Sequence, residues 1–563
     1  GLATNDQVTD SPTDDADNNI GNFCTLNPLV NGGCTLSNGN LDVSVPADKG
    51  VTGTIDMPSG KWRFEATLNT LAGTYDAVGV CVQPTDPDTH IPDAAANANK
   101  AEAYFYMANG TLESNNTNTS PYGDSFGATD VIDVFFDADN GTIWFANEGV
   151  LQKSATEGEV QAGTTTNAAF SSMTQNLGPM LPAITHGGAG TSAWSLNFGQ
   201  RPYVNSYSGI TSFKNLYTAN LPAPAIKDPS TAFITDLFTG TGSELVRTLT
   251  DAGGSAVAPD LVWIKDRDTS VEHVITDRVR GATKELNSDS TNAETTVAQG
   301  VKSFNASGYT LGTDGNYNTS SSLNVAWCWV AGGAGASDAT GNITVTRSTN
   351  ATAGFSIVKG TGNGGSASNF GHGLSTVNLA IVKNIDSAET WYVGHTANFA
   401  AEHVLYLDVD AAAAVVSTIF GSPTSSQFYL DGGGVNTGTD DWVAYLFESI
   451  PGFSSIGVYE GNGDADGAFI YLGFRPGLIL SKSKDSTSRW DMQDGLRTIN
   501  GTTASIEAAG PAGEVSNAGQ IDILSNGFKH RTAIDNNIAE TYIYLAFAEA
   551  PFGGDGVAQA RAR

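Results

Sequence analysis

The chain has 563 residues, 65 of them glycine, and only 15% are Asp, Glu, Lys or Arg. Helix-forming residues do not dominate, which argues against a body of long helices, and no apolar run approaches the roughly 18–20 residues of a helical bilayer span. Fifty-nine acidic residues against 27 basic ones give a net charge of −32. That balance sets aside nucleic acid as a partner and favours solubility, in a medium salty enough to screen self-repulsion, over a specific cationic partner.

The opening GLATNDQVTDSPTDDADNN is polar, acidic and rich in turn formers, and it belongs to an irregular lead-in over residues 1–40. It reads as a linker entered halfway, so the expectation is the ordered or processed part of a longer protein. From 41 to 203 the pattern is strand after strand. In KWRFEATLN (Lys61–Asn69), Trp62, Phe64, Ala66 and Leu68 alternate with polar residues and mark one face. VIDVFFDADNGTIWFANEGVL (Val131–Leu151) predicts a hairpin: Val131–Phe136 out, Asp137–Gly141 as the turn, Thr142–Ala146 back. LNFGQRPY (Leu196–Tyr203) closes the unit. Residues 204–232 form a connector, with three prolines between Asn220 and Ser230, which disfavours helix and ladder alike and suits a domain boundary.

After the connector the same parts recur in the same order. A strand ends in a glycine turn: LFTGTGS (Leu237–Ser243), IVKGTGNGG (Ile357–Gly365), VYEGNGDADG (Val458–Gly467). A buried strand then runs into charged residues and a turn: PDLVWIKDRD (Pro259–Asp268), NLAIVKNIDS (Asn378–Ser387), PGLILSKSKD (Pro476–Asp485). A polar middle follows, with Trp391 and Trp490 in the last two copies, then an aromatic strand, then an apolar one: NVAWCWVAG (Asn324–Gly332), DWVAYLFES (Asp441–Ser449), TYIYLAFAEAPF (Thr541–Phe552). This is an internal triplication at 233–335, 352–450 and 452–552, followed by a tail at 553–563. Each copy has strands enough for a small sandwich. Three in tandem predict an elongated or clustered body rather than one large core, with repeated faces suited to multivalent contact. The fold class is therefore all-β.

No catalytic motif stands out: there is no nucleophile elbow, P-loop or zincin helix. The histidines (His90, His186, His273, His372, His395, His403, His530) are scattered, and no cofactor or metal is called for. DADNG (Asp137–Gly141) and DADG (Asp464–Gly467) resemble pieces of a calcium loop but lack its later ligands, and turn formation is the favoured reading. A carboxylate pair for glycoside hydrolysis leaves no local signature, and nothing points to one. Cys24 and Cys34 either bridge a ten-residue loop or, with Cys81 and Cys328, remain free buried thiols. Trp62, Trp144, Trp263, Trp327 and Trp329 read as core. Trp391 and Trp490, at strand ends in polar surroundings, are read either as lids on a sandwich core or, less favoured, as platforms for a sugar ring. The N-x-[ST] sequences at Asn109, Asn118, Asn140, Asn342 and Asn500 follow from composition.

KWRFEATL, VGVC (Val78–Cys81), DVFFDADNGTIWFANEGV and LPAITHGGAGTSAWSLNFGQRPY together resemble a SPRY domain, a concanavalin-like β-sandwich, over 41–203. The chain as a whole is similar to large structural proteins of tailed bacteriophages, the marine type in particular. The phrases that carry this are TNDQVTDSPTDD…NFCTLNPL, NFGQRPY, PDLVWIKDRD, DRVRGATKEL, AWCWVAGG and AFAEAPFGGDG. Such proteins often carry a laminin-G-like sandwich ahead of the lead-in. The resemblance implies a non-enzymatic virion component, exposed on the particle, that contacts other virion proteins. A tail-fibre or appendage role in host-surface glycan attachment, as a homo-oligomer and as a trimer in one form, is the leading expectation. A capsid decoration or head-fibre protein is the alternative, and a glycan depolymerase or a secreted cellular adhesin ranks lower. The resemblance supplies no ligand-binding residues.

Overall fold

A computed structural model describes residues 21–82, 102–114, 117–173, 179–365, 367–396, 403–416, 419–430, 432–498, 500–517, 520–554 and 557. The first half of the lead-in and most of the tail fall outside these. The chain divides into two compact units, the first running to Ala223 and taking in a return at Gly553–Gln559, the second essentially Pro224–Phe552. Among the described residues no helix is long and apolar enough to cross a membrane.

The first unit is a two-sheet sandwich. One sheet runs in the order Thr35–Ser37, Asp42–Pro46, Thr191–Asn197, Lys61–Thr70, Val131–Asp137, Thr142–Asn147, Val150–Leu151. Lys214–Asn215 adds to it in parallel beside Trp62–Arg63. The other runs Lys49–Thr52, Leu181–Gly187, Tyr75–Cys81, Ala103–Met107, Thr111–Ser114, Thr117–Pro121. Alternation decides the faces: Trp62, Phe64, Ala66 and Leu68 are all buried. Tyr106 of the second sheet meets Phe145 of the first at a ring separation of 5.3 Å, which puts the core between the layers. Close packing also explains Gly79, where a Cβ would lie 2.0 Å from the Tyr104 carbonyl oxygen on the neighbouring strand. The predicted hairpin forms, with Asp137 opposite Thr142 and Ile132 opposite Asn147.

The second unit contains the three repeats. Each has a main sheet of four common strands. The leading strands are Phe233–Thr239, Phe355–Thr361 and Ser454–Glu460; the inner strands are Leu261–Asp266, Leu379–Asn384 and Phe474–Ser483. The seam strands are Val274–Asp277, Trp391–His395 and Asp491–Asp494; the closing strands are Leu323–Trp329, Asp441–Phe447 and Thr541–Pro551. The order leading–closing–inner–seam is the same in all three, and each repeat adds a separate three-stranded sheet. Both faces of the inner strand are covered, so it is a continuous apolar run instead of an alternating one.

Repeats 1 and 2 each keep a sandwich core of their own, and a further core is shared by all three. Trp263, Trp327 and Trp329 of the first, Phe355, Trp391 and Phe447 of the second, and Leu478, Trp490 and Phe547 of the third belong to one continuous buried cluster. At its middle the equivalent residues Trp329, Phe447 and Phe547 form a triangle with ring separations of 6.5, 5.7 and 5.9 Å. An apolar void of about 20 Å³ sits among residues from all three repeats. The expectation of a body without one large core is thus corrected in part: a shared core joins the three repeats, while repeats 1 and 2 also keep cores of their own. The apolar faces of the three main sheets cover one another, and a sheet of this size cannot leave such a face in water.

Candidate functional site: the joints of a three-part ring

A set of buried polar groups lies where repeats meet. Cross-strand register makes His273, Trp391 and Trp490 equivalent, since Trp391 pairs with Lys383 in the ladder that continues through Ile381–Val393, and the other two extend the same ladders opposite Lys265 and Lys482. Each reaches out of its own repeat to a backbone carbonyl of another. Trp391 Nε1 of repeat 2 donates to Asn287 O of repeat 1 at 2.8 Å. Trp490 Nε1 of repeat 3 donates to Tyr406 O of repeat 2 at 2.7 Å. His273 Nε2 of repeat 1 donates to Glu507 O of repeat 3 at 3.0 Å. The acceptors are themselves equivalent, each one residue beyond the partner of the seam strand (Leu286, Leu405, Ile506). Three bonds run 2 to 1, 3 to 2 and 1 to 3, and the ring closes.

A second set repeats the circuit through the backbone alone. Glu294 N donates to Ile385 O, Ala413 N to Lys484 O and Glu514 N to Arg267 O, at 2.9, 2.8 and 2.7 Å. Each donor lies seven residues after the acceptor of the first circuit, and each acceptor lies two residues after a buried lysine. A backbone circuit explains how the copies diverged in side chain while the ring kept its geometry.

Those lysines, Lys265, Lys383 and Lys482, are fully buried. Each ammonium donates to the carbonyl of the next residue and to one four residues on: Asp266 O and Thr269 O, Asn384 O and Ser387 O, Ser483 O and Ser486 O, all between 2.6 and 3.3 Å. The residue after the lysine caps the same turn: Asp266, Asn384 and Ser483 each accept from the amides two and three residues on. The turn's aspartate then accepts from the first amide of the closing strand, Asp268 from Leu323, Asp386 from Asp441 and Asp485 from Thr541. Burial pushes all three lysines down to about 8, because removing an ammonium from water costs several kcal/mol that two carbonyls only partly offset.

At two joints an aspartate at the end of the seam strand accepts a further bond from the neighbouring repeat. Tyr445 Oη of repeat 2 donates to Asp277 of repeat 1 at 2.8 Å, and Trp327 Nε1 of repeat 1 donates to Asp494 of repeat 3 at 3.2 Å. Both aspartates are held by an arginine three residues on, Arg280 and Arg497, itself fully buried and paired to Glu294 or Glu514. At the third joint the equivalent positions are Leu545 and His395, and burial holds that histidine down to about 4.

Glu65 and Glu507 are elevated carboxyls that each stand beside another carboxylate. In the first unit, burial and the neighbouring Asp133 push Glu65 up to about 7. Its oxygens accept from Val204 N and Asn205 N, and Asp133 accepts from Arg63, Asn205 and Tyr207. The cluster pins residues 203–207 onto the sheet. In the second unit, burial and Asp410 push Glu507 up to about 7, with Arg489 at 3.2 Å; the neighbouring Asp491 accepts from Ser505 and Asn536. In both places the hydrogen-bonding capacity is met largely by the chain itself.

Trp391 and Trp490 are therefore not sugar platforms. They are buried at the joints, and their indole N–H groups are already engaged with a neighbouring repeat. Their polar sequence surroundings mark joint chemistry, where buried carbonyls need donors. In DADNG, Asp137 binds Lys61 at 3.3 Å and caps Asn140, and Gly141 is left-handed at φ +56° with the Met173 carbonyl where a Cβ would stand. In DADG, Asp464 accepts from Asp466 N, and Asp466 pairs with Lys529 at 3.1 Å. Both are turns whose carboxylates hold protein groups. The four cysteines are free and buried, and burial pushes Cys24 up to about 12. Among the histidines, His186 meets Asp76 at 2.7 Å inside the first sandwich, His372 bonds the Thr424 carbonyl, and His90 lies outside the described residues. No three metal-ligating side chains converge among the described residues.

Sequence reasoning missed the lysines and His273. The signal was present: KDRDT, KNIDS and KSKDS share a K-x-x-D-[ST] pattern at the same point of each copy. A lysine ending an apolar run reads as a surface charge, so the pattern looked like a solvated turn.

Comparison with known proteins gives two family matches. Residues 61–201 match the SPRY domain, in agreement with the sandwich of the first unit. Residues 228–551 match the family described as domain of unknown function DUF7483, which spans all three repeats. Similar solved structures include the SPRY domain of human HERC1, 17% identical, covering 30% of this chain and 96% of that one with a TM-score of 0.24. They also include stonustoxin, 15% identical, covering 31% and 28% with a TM-score of 0.23, and the PSpry domain of TRIM65, 12% identical, covering 31% and 92% with a TM-score of 0.22. No curated protein matches. With more than half its length in that match, and a SPRY sandwich ahead of it, the chain belongs to the DUF7483 family.

Proposed function

We propose that this chain is a structural component of a tailed-bacteriophage particle, a tail-fibre or appendage protein at the virion surface that takes part in attachment to host-surface glycan. The observation that carries this reading is where the reactive groups are engaged. The buried lysines, the Asp–Arg pairs, His273 and the elevated Glu65 and Glu507 bond this chain's own backbone and side chains. That arrangement serves rigidity, which a load-bearing particle protein needs, and it supports a non-catalytic reading. The family resemblance of the sequence phrases, the SPRY sandwich and the acidic surface agree with it. Other virion proteins are its partners, and oligomerisation supplies avidity to weak glycan contacts.

A second reading, capsid decoration or head fibre, is favoured by the ring itself. A single chain with three equivalent parts around one axis matches a threefold position of a shell without forming a trimer. Electron microscopy of the intact particle separates the two. Density at the tail or baseplate supports the appendage, and glycan arrays on the purified chain then test attachment. Density spread over the capsid overturns the appendage in favour of decoration. Absence from any particle overturns both and brings the cellular adhesin forward, while cleavage of an arrayed glycan would point to the depolymerase.

A further inference from the structure

The three leading strands are equivalent, yet their outer edges are treated differently. In an antiparallel ladder alternate residues turn N–H and C=O away from the partner strand. Val330 N donates to Ala232 O and Gly240 N to Ser322 O, so the even-numbered residues of Phe233–Thr239 face the closing strand. Phe233, Thr235, Leu237 and Thr239 face outward, and their counterparts are Phe355, Ile357, Lys359 and Thr361, then Ser454, Ile456, Val458 and Glu460.

In repeat 2 this edge is covered by Val345–Asn350, with Asn350 opposite Phe355, Ser348 opposite Ile357 and Thr346 opposite Lys359. In repeat 3 the incoming turn covers its start: Ile450 and Ser454 exchange two backbone bonds, and Ile456 N donates to Ser449 Oγ at 2.9 Å. In repeat 1 the incoming turn goes elsewhere, with Asp228 and Ser230 accepting from Ala252 N. Among the described residues the amides of Thr235 and Leu237 meet no acceptor, and the one hydrogen bond to the edge backbone is Arg247 Nη2 to Leu237 O at 3.5 Å, while at the start of the strand Phe233 stacks on Phe547 of repeat 3 at 5.0 Å. Natural edges are blunted by lysine, proline, a bulge or a cover. FITDLFT has none of these. Its register is regular and its single charge, Asp236, is held by Arg247.

We propose that the outer edge of Phe233–Thr239 is a strand-acceptor site for an extended, uncharged or basic segment of a partner protein. The segment adds antiparallel, as Val345–Asn350 adds to Phe355–Thr361. Charge selects this occupant over a second copy: each copy carries −32, whereas the resident cover strand VTRSTN has one charged residue, Arg347. Backbone pairing supplies the affinity, and β-branched side chains on the partner pack beside Thr235 and Leu237. This inference stands on the edge geometry and does not require the virion reading.

The test is amide hydrogen exchange on the full chain with a synthetic peptide of residues 343–351, ITVTRSTNA. At saturation, exchange at Thr235 and Leu237 should slow by about tenfold or more, and a peptide N-methylated at the positions of Thr346 and Ser348 should have no effect. Thr235→Pro removes an outward donor without touching the bonds to the closing strand. It should abolish the slowing while leaving the unfolding midpoint nearly unchanged. No slowing up to the solubility limit of the peptide overturns the proposal, whatever the stability of the variant. Protection without peptide also overturns it: if it grows with chain concentration the occupant is a second copy, and if it does not the edge is covered by the chain itself.

Discussion

The joint between repeats 1 and 3 uses an imidazole where the other two joints use an indole. All three donate one N–H to an equivalent carbonyl across the joint. An indole does this in one state and fills a large volume. An imidazole fills less and must hold a particular tautomer: Trp263 Nε1 donates to His273 Nδ1 at 2.9 Å, which leaves Nε2 as the proton-bearing nitrogen that faces Glu507 O. Lys265 and Arg497 stand near the ring, and with burial they push His273 down to about 3, so the neutral form persists. The same joint carries the Trp327–Asp494 bond, whose counterpart at the Trp391 joint is Tyr445–Asp277, and the Arg267–Glu514 ion pair, whose atoms meet at 2.8 and 2.9 Å. A small side chain at one position is accompanied by polar cross-links around it.

Truncation should separate the joints most widely. Trp391→Ala and Trp490→Ala each remove a fully buried ring and its cross-joint bond, and should cost about 3–5 kcal/mol in urea unfolding of the full chain. His273→Ala should cost about 1–3 kcal/mol, mainly from the groups it leaves unpaired. Equal losses at all three positions would mean that the size of the anchor is irrelevant.

The buried lysines provide the control for that comparison, because each donates to the same two backbone carbonyls of its turn in every repeat. Lys265→Met, Lys383→Met and Lys482→Met should each cost about 2–3 kcal/mol, by stranding two carbonyls in a closed turn, and the three values should resemble one another. A spread as wide as that of the anchors would break that equivalence. Smaller still, Trp391→Phe and Trp490→Phe keep much of the volume and lose the donor, and should cost about 1–2 kcal/mol. Unfolding midpoints at constant urea dependence would read this out.

The fourth difference is one of pH. His273 has a folded value of about 3 against 6.5 for the unfolded chain. The unfolded state therefore binds more protons between these limits. The stability associated with a neutral His273 is complete above about pH 6.5 and is lost as pH falls toward 3. His395 and His530 act in the same direction, so the informative quantity is the difference between wild type and His273→Gln. Between pH 6.5 and 4 the wild type should lose stability faster than the variant. Parallel curves would show that His273 is not the acid-sensitive element of its joint.

Much of the architecture could be read from residue order. Alternation in Lys61–Asn69 and the D-x-D-x-G turn of the hairpin follow from local backbone preference and period-two burial, which neighbours along the chain decide. The triplication was legible because three phrases recur in one order. What could not be read was whether an apolar face looks into its own sandwich or across to another repeat. Trp391 shows this: its polar sequence neighbours suggest the surface, yet it lies in the shared core with its N–H on Asn287 O of a different repeat. Lys265, Lys383 and Lys482 show it again, since a charge is buried only where carbonyls converge, and that convergence exists only in the folded turn.

By itself, then, the sequence determined an all-β chain, a SPRY sandwich and three copies of one strand order, because strand period, turn chemistry and repetition are local properties. The tertiary structure alone decided that the copies close into a ring around a shared core, beside the cores that repeats 1 and 2 keep for themselves. It also decided that an indole, an indole and an imidazole hold the joints, and that the three equivalent strand edges are covered to different extents. Each of these depends on which distant backbone groups meet, and burial then requires every one of them to find a partner.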